Sequence, residues 1–134
     1  MATVPGYAAT VDNGAALLGA VETNLQVPTT TSIIVTAGSS GTKIEEIVVQ
    51  ASNTSLVAST SAGLVYLFLY DGSTYHLFDT IAVTAVTASA TVAPFRLSKV
   101  YNNLVIKSGW SLRASQSLAG NASILKCHAL AADY

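Results

Sequence analysis

The chain has 134 residues, of which 51% are apolar and only 10% charged; six Lys and Arg stand against seven Asp and Glu, a formal net charge of −1. That length fits one domain able to bury a core of its own. Charges so few and so evenly scattered exclude a basic stripe for nucleic-acid backbones, and no apolar run approaches the ~18–20 residues of a membrane span.

In chain order, the first 23 residues stand apart. Pro5-Gly6, Asn13-Gly14 and Gly19 interrupt an Ala-rich stretch whose helix-like run is Ala15–Val21, so residues 1–23 read as an irregular N-terminal arm. Its opening residues, Met1 to Gly6, carry neither the basic region nor the apolar run of a secretory signal. The expectation is a soluble chain made in the cytoplasm.

From residue 24 to 134 strands dominate, because Val, Ile, Thr and Tyr recur in short blocks separated by Gly, Ser and Asn clusters. The blocks are Leu25–Val27, Thr31–Thr36, Lys43–Ala51, Leu64–Tyr70, Tyr75–Thr84, Ala90–Leu97, Asn103–Lys107, Ser111–Ala114 and Ser123–Leu130. Lys43–Ala51 changes phase, since Ile44 falls on one parity and Ile47, Val49 and Ala51 on the other. A β-bulge at Glu45-Glu46 repairs it. The stretch Ser52–Gly63, rich in Ser, Thr and Asn, reads as a polar surface loop. Asp71-Gly72 suits a tight hairpin, Gly38 to Gly41 a looser turn, and Ser108-Gly109 a break before Trp110. Pro94 marks an edge position or a strand irregularity, because it donates nothing to a ladder. Short strands at this spacing predict an all-β fold: an antiparallel β-sandwich with jelly-roll or Greek-key connections.

The hairpin Gly63–Val83 carries the strongest signal. Its first strand is apolar on both sides, with Val65, Leu67 and Leu69 on one and Tyr66, Phe68 and Tyr70 on the other, whereas a half-exposed antiparallel strand alternates apolar with polar. The opposite sheet covers one side, and a neighbouring subunit is expected on the other. Tyr66, Phe68, Tyr70 and Tyr75 are therefore the candidate contact residues, since aromatic residues with a polar tip are enriched at interfaces. Trp110, next to Leu112 and Arg113, is either core or a further anchor.

Catalytic and metal chemistry find little footing. His76 and His128 lack metal-ligand spacing, and Cys127 and His128 are neighbours on a strand, so they face apart. No nucleophile elbow or phosphate-binding loop is present, and Glu45 and Glu46 face apart except at a bulge. No catalytic residue, metal site or cofactor is expected, and Cys127 reads as a buried small hydrophobe. Asp79, placed by alternation on the face of Leu77 and Ile81, calls for a partner among Arg96, Lys107 and Arg113, or else lies exposed.

Three stretches taken together, Lys43–Ile47, Leu67–Tyr75 and Leu104–Ser115, resemble small β-sandwich virion proteins of tailed bacteriophages over residues 29 to 134. The resemblance rests on their order: a polar turn, a strand with acidic residues, the Tyr-Asp-Gly hairpin, and a strand ending in Gly-Trp before a basic residue. It implies a capsid decoration, or cement, protein: a homotrimer bound to the major capsid protein on the outside of the head, with the arm on the lattice. The alternatives are another virion component of the tail, baseplate or head-tail connector, and a glycan-binding module drawing on Tyr75, Trp110, Asn102 and Asn103.

Overall fold

The computed structural model describes residues 10–54 and 58–134. Nine strands follow one another: β1 (Thr10–Val11), β2 (Gly14–Leu17), β3 (Ser32–Thr36), β4 (Thr42–Ala51), β5 (Gly63–Tyr70), β6 (Tyr75–Val83), β7 (Arg96–Ile106), β8 (Ser111–Gln116) and β9 (Leu125–Asp133). They form two packed antiparallel sheets. One runs β2-β9-β4-β7, with β1 also on β9; the other runs β3-β8-β5-β6. Four of the pairings join strands progressively nearer in sequence, β2 to β9, β3 to β8, β4 to β7 and β5 to β6, as though one long hairpin had closed on itself. Rolling that hairpin brings β9 against β4 and β8 against β5. This is the jelly-roll connection of a two-sheet sandwich.

Between the sheets lie the inward residues of each strand: Ile44, Ile47 and Val49 from β4, Cys127 and Ala129 from β9, Val65 and Leu67 from β5, Leu112 and Ala114 from β8, all fully buried. The bulge expected in β4 is present, with Ile44 paired to Ala131, Glu46 to Leu130, and Glu45 left over between them. It keeps Ile44 and Ile47 on the same side despite their odd separation. Burial pushes the Cys127 thiol up to about 12, so the side chain stays neutral.

Several expectations change. Ala15–Val21 is no helix: Gly14–Leu17 pairs along β9, and Val21 bridges to Gln116. The arm is therefore laid on the sandwich from Thr10 onward, while residues 1–9 lie outside the described residues. Leu25–Val27 is a bend, not a strand. Ala90–Leu97 and Asn103–Lys107 resolve into one strand beginning at Arg96, just after Pro94, because β7 accommodates three residues, Tyr101 to Asn103, opposite the single Glu45. Asn103 takes a left-handed φ of 67° there, a conformation Asn tolerates better than most residues. Of the expected surface loop, residues 55–57 lie outside the described residues; Thr60 is buried and bridges to Val86.

A second bulge corrects the placement of Asp79. Leu67 pairs with Asp79 and Phe68 with Leu77, so Phe78 is the extra residue, and Asp79 shares the inner face with Ile81 but not with Leu77. From that face it joins the edges of the two sheets. Lys99 Nζ on β7 lies 2.6 Å from the carboxylate and the Tyr101 hydroxyl donates to it, in place of the expected Arg96, Lys107 or Arg113. Burial alone would push the Asp79 carboxyl up, but the bonds from Lys99 and Tyr101 outweigh it and hold it below its ordinary value. We expect Asp79→Ala to cost about 1–3 kcal/mol by urea unfolding, since it strands the half-buried Tyr101 hydroxyl. Lys99→Met, at an exposed position, is expected to cost less than about 1 kcal/mol.

Candidate functional site

The outer face of the β3-β8-β5-β6 sheet gathers most of the candidate contact residues. Cross-strand register sets Ile33, Arg113, Phe68 and Leu77 in one row, and Thr36, Ser111, Tyr70 and Tyr75 in the next. Tyr66 follows in a third row with Ser115 and Thr80. Tyr66, Tyr70 and Tyr75 are half-exposed, whereas Phe68 is completely buried yet stands apart from the core between the sheets.

The cover over Phe68 is built by the chain itself. The Tyr75 ring meets Phe68 edge-on at 6.0 Å and packs on Tyr70 at 4.4 Å. The connection from β2 to β3 is then tied over this face: Thr31 Oγ1 donates to the Tyr75 hydroxyl, and Thr30 Oγ1 and Ser115 Oγ share a hydrogen bond. That connection is organised by Glu22, itself buried. One carboxylate oxygen accepts from the Thr29 and Thr30 amides and the Thr30 hydroxyl, the other from the amides of Thr23 and Asn24. The expected neighbouring subunit is therefore not what shelters Phe68. Its own chain does so: Tyr75 packs on it, and the connection that Glu22 organises bonds to the Tyr75 hydroxyl through Thr31.

Arg113 sits at the centre of this surface. Its Cζ lies 4.2 Å from the centre of the Tyr70 ring and 5.7 Å from that of Tyr75. Nε donates to Ser111 Oγ at 3.0 Å and Nη1 to the Tyr75 hydroxyl at 3.1 Å. No carboxylate pairs with it among the described residues. A guanidinium clamped by two aromatic faces and two hydroxyls is half-buried, pre-oriented and still carries an unanswered charge. The sequence offers Arg113 as a neighbour of Trp110 and a possible partner of Asp79, but Lys99 takes that carboxylate and Arg113 joins the tyrosines instead.

Trp110 lies elsewhere. It is half-buried against the core and stacks on His76 at 5.8 Å. His76 in turn bonds to Asp71, whose carboxylate also accepts from the Ser73 and Thr74 amides in the hairpin turn. The His76 bond and these amides hold the Asp71 carboxyl well below its ordinary value. Tyr75 and His76 are successive residues of β6, so Tyr75 and Trp110 occupy opposite sides of the sheet, and Asn102 and Asn103 project from β7 of the other sheet. The pieces suggested for a glycan platform are not brought together.

The outer face of the β2-β9-β4-β7 sheet mixes charges with exposed aliphatic residues. Val100, at 66% exposure, and Leu130, at 42%, flank Glu46 in one row; Val105 and Val11 stand out in the next. Glu45 pairs with Lys43 at 3.1 Å, leaving half-buried Glu46 as the one carboxylate with neither ion pair nor hydrogen bond among the described residues. At the strand ends Asp12 and Asp133 lie together, and burial followed by the bond and charge of Asp133 raises the Asp12 carboxyl above its ordinary value. A depression of about 470 Å³ opens between Leu17, Ser52, Asn53, Thr54, Ser123 and Lys126. No group of three or more His, Cys, Asp or Glu side chains converges on a possible metal position among the described residues, and none of their helices is long and apolar enough to cross a membrane.

Compared with protein families, curated proteins and solved structures, this chain matches none.

Proposed function

We propose that the protein is a capsid decoration protein of a tailed bacteriophage, seated as a homotrimer on the lattice of the major capsid protein at the outside of the head. The observation that carries this reading is aliphatic surface left on the outward sides of both sheets, Val100, Val105 and Leu130 on one, Ile33 and Leu77 on the other, in a chain with few charges. A free monomer gains nothing from displaying such side chains, and a permanent assembly removes them from water at about 25 cal/mol per Å². The jelly-roll connection recurs in viral shells, which supports the reading by analogy of fold, as does the resemblance of residues 29 to 134 to phage virion proteins.

In this role binding energy is the activity. A standard interface of ~1,600 Å² holds each subunit, and several copies joined in one oligomer multiply the effect by avidity. Sparse charge keeps the desolvation cost low.

The test is co-sedimentation of the purified protein with expanded heads lacking it, followed by heating of bare and decorated heads. Saturable binding and a higher rupture temperature are the expected outcome. A monomer that leaves heads unbound, or a protein recovered in the tail fraction of dissociated particles, overturns the assignment.

A further inference from the structure

We infer that copies of this chain join front to back, with Glu46 on the outer face of one seating on Arg113 of the next. The inference rests on the self-association in the reading above and names one contact for it, without requiring three copies.

Each outer face presents a half-buried charge that no opposite charge answers among the described residues. Glu46 is the carboxylate left without an ion pair or hydrogen bond among the described residues. Among the described residues Arg96, Lys107, Arg113 and Lys126 are the Lys and Arg side chains without an acid, and of these Arg113 alone is half-buried, the others being exposed. A half-buried charge has already lost part of its hydration, so an opposite charge arriving from outside gains more there than at an exposed lysine.

The surroundings match as well as the signs. Leu130 and Val100 stand on the strands either side of Glu46, one strand spacing of about 4.8 Å away. Ile33 stands one strand spacing from Arg113, and Leu77 lies two spacings away beyond the buried Phe68. Each face therefore offers an aliphatic, a charge and another aliphatic in a line across the strands. Superposing Glu46 on Arg113 sets one aliphatic residue of the first line against Ile33 and the other over the aromatic cover of Phe68, with Leu77 one strand spacing further out. Arg113 is prepared for this, because Tyr70, Tyr75 and Ser111 fix the guanidinium and Nη2 has no hydrogen-bond partner among the described residues. The two acidic residues of the β4 bulge thereby divide their tasks: Glu45 pairs within the chain through Lys43, and Glu46 pairs outside it. Because the outward sides of two sheets packed back to back meet, the contact is heterologous and adds copies in series.

The test is light scattering of the full chain across a concentration series. The wild type is expected to be oligomeric. Glu46→Arg, at an outward position without internal bonds, and Arg113→Glu are each expected to weaken association by about 30-fold or more, and the double exchange to restore it. Circular dichroism checks the fold of each variant, and Arg113→Met, which keeps the packing against Tyr70 but not the charge, stands in if Arg113→Glu fails to fold. A monomeric wild type, oligomers unchanged by Glu46→Arg, or a double exchange no better than either single variant overturns the contact. Head binding is scored separately: wild type that decorates heads while Glu46→Arg remains oligomeric sinks the contact alone, and an exchangeable oligomer that ignores heads sinks the decoration role alone.

Discussion

Replacing Phe68 with alanine is expected to lower the free energy of unfolding by about 3–5 kcal/mol, a loss proper to a central core residue, although Phe68 points away from the space between the sheets. Phe68 and Leu67 are neighbours on β5, face opposite ways and are both fully buried. Outward positions on an ordinary two-layer sandwich tolerate truncation to within about 0.5 kcal/mol. Here the ring lies under Tyr75, which is pinned from both sides by Thr31 and Arg113, so its removal leaves a cavity beneath a bonded lid that does not readily collapse. Leu67→Ala is expected to fall in the overlapping range of about 2–5 kcal/mol. Parallel denaturant titrations of the two variants check this. A Phe68→Ala protein within about 1 kcal/mol of wild type would mean that the Val21–Thr31 connection does not shield this face in solution.

Glu22→Ala is expected to cost about 2–4 kcal/mol, from the loss of charge-assisted bonds to four amides and a hydroxyl. The total stays below the sum of five separate bonds because water rehydrates the freed amides as the loop opens. The effect has a defined pH dependence. Burial by itself pushes the Glu22 carboxyl up, but the bonds from Thr30, Asn24 and Thr29 together outweigh it, so the folded value lies below the ordinary 4.5. A carboxyl with a lowered folded value contributes stability that is complete above its unfolded value and is lost as pH falls through the folded one. The gap between wild type and Glu22→Ala is therefore expected to be full at pH 7 and to narrow once the pH drops below about 4.5. Asp71 and Asp79, also lowered, act in the same direction on the wild type. Asp12, raised, acts in the opposite one. Thermal melts of both proteins from pH 7 to pH 3 read the gap directly, and a gap that stays constant would show that the carboxylate is not what holds the loop.

Legibility in the sequence followed the range of the interaction. The β4 bulge was readable because Ile44 and Ile47 are separated by an odd count, and only an extra residue puts both inside. The β6 bulge was not, because apolar Leu77 and Phe78 on either parity leave the alternation unbroken while Asp79 changes neighbours. The helix-like run in the arm failed for a related reason. Alanines at 15 and 16 favour a helix only weakly, and the β9 edge, which offers a row of backbone partners, overrides that preference. For the candidate site, the apolar strand and its return put Tyr66, Phe68, Tyr70 and Tyr75 on one outward face, as the alternation predicts, but Phe68 is wholly buried there by its own chain. Their companion Arg113 reaches them from a strand some 40 residues further on in sequence, and nothing in its local context announced the contact.

By itself the sequence determined an all-β chain of short strands, the Asp71-Gly72 hairpin and the inward set of β4. These follow from period-two alternation and turn chemistry, which act between residues close together along the chain. The tertiary structure alone decided the jelly-roll order of the strands, the loop that Glu22 organises and that bonds to the Tyr75 cover of Phe68, the partners of Asp79, and the placement of Glu46 and Arg113, both without an opposite charge among the described residues, on opposite faces. Alternation tells a strand which side to bury but not which strand to lie beside, and whether a charge finds a partner depends on that choice of neighbour.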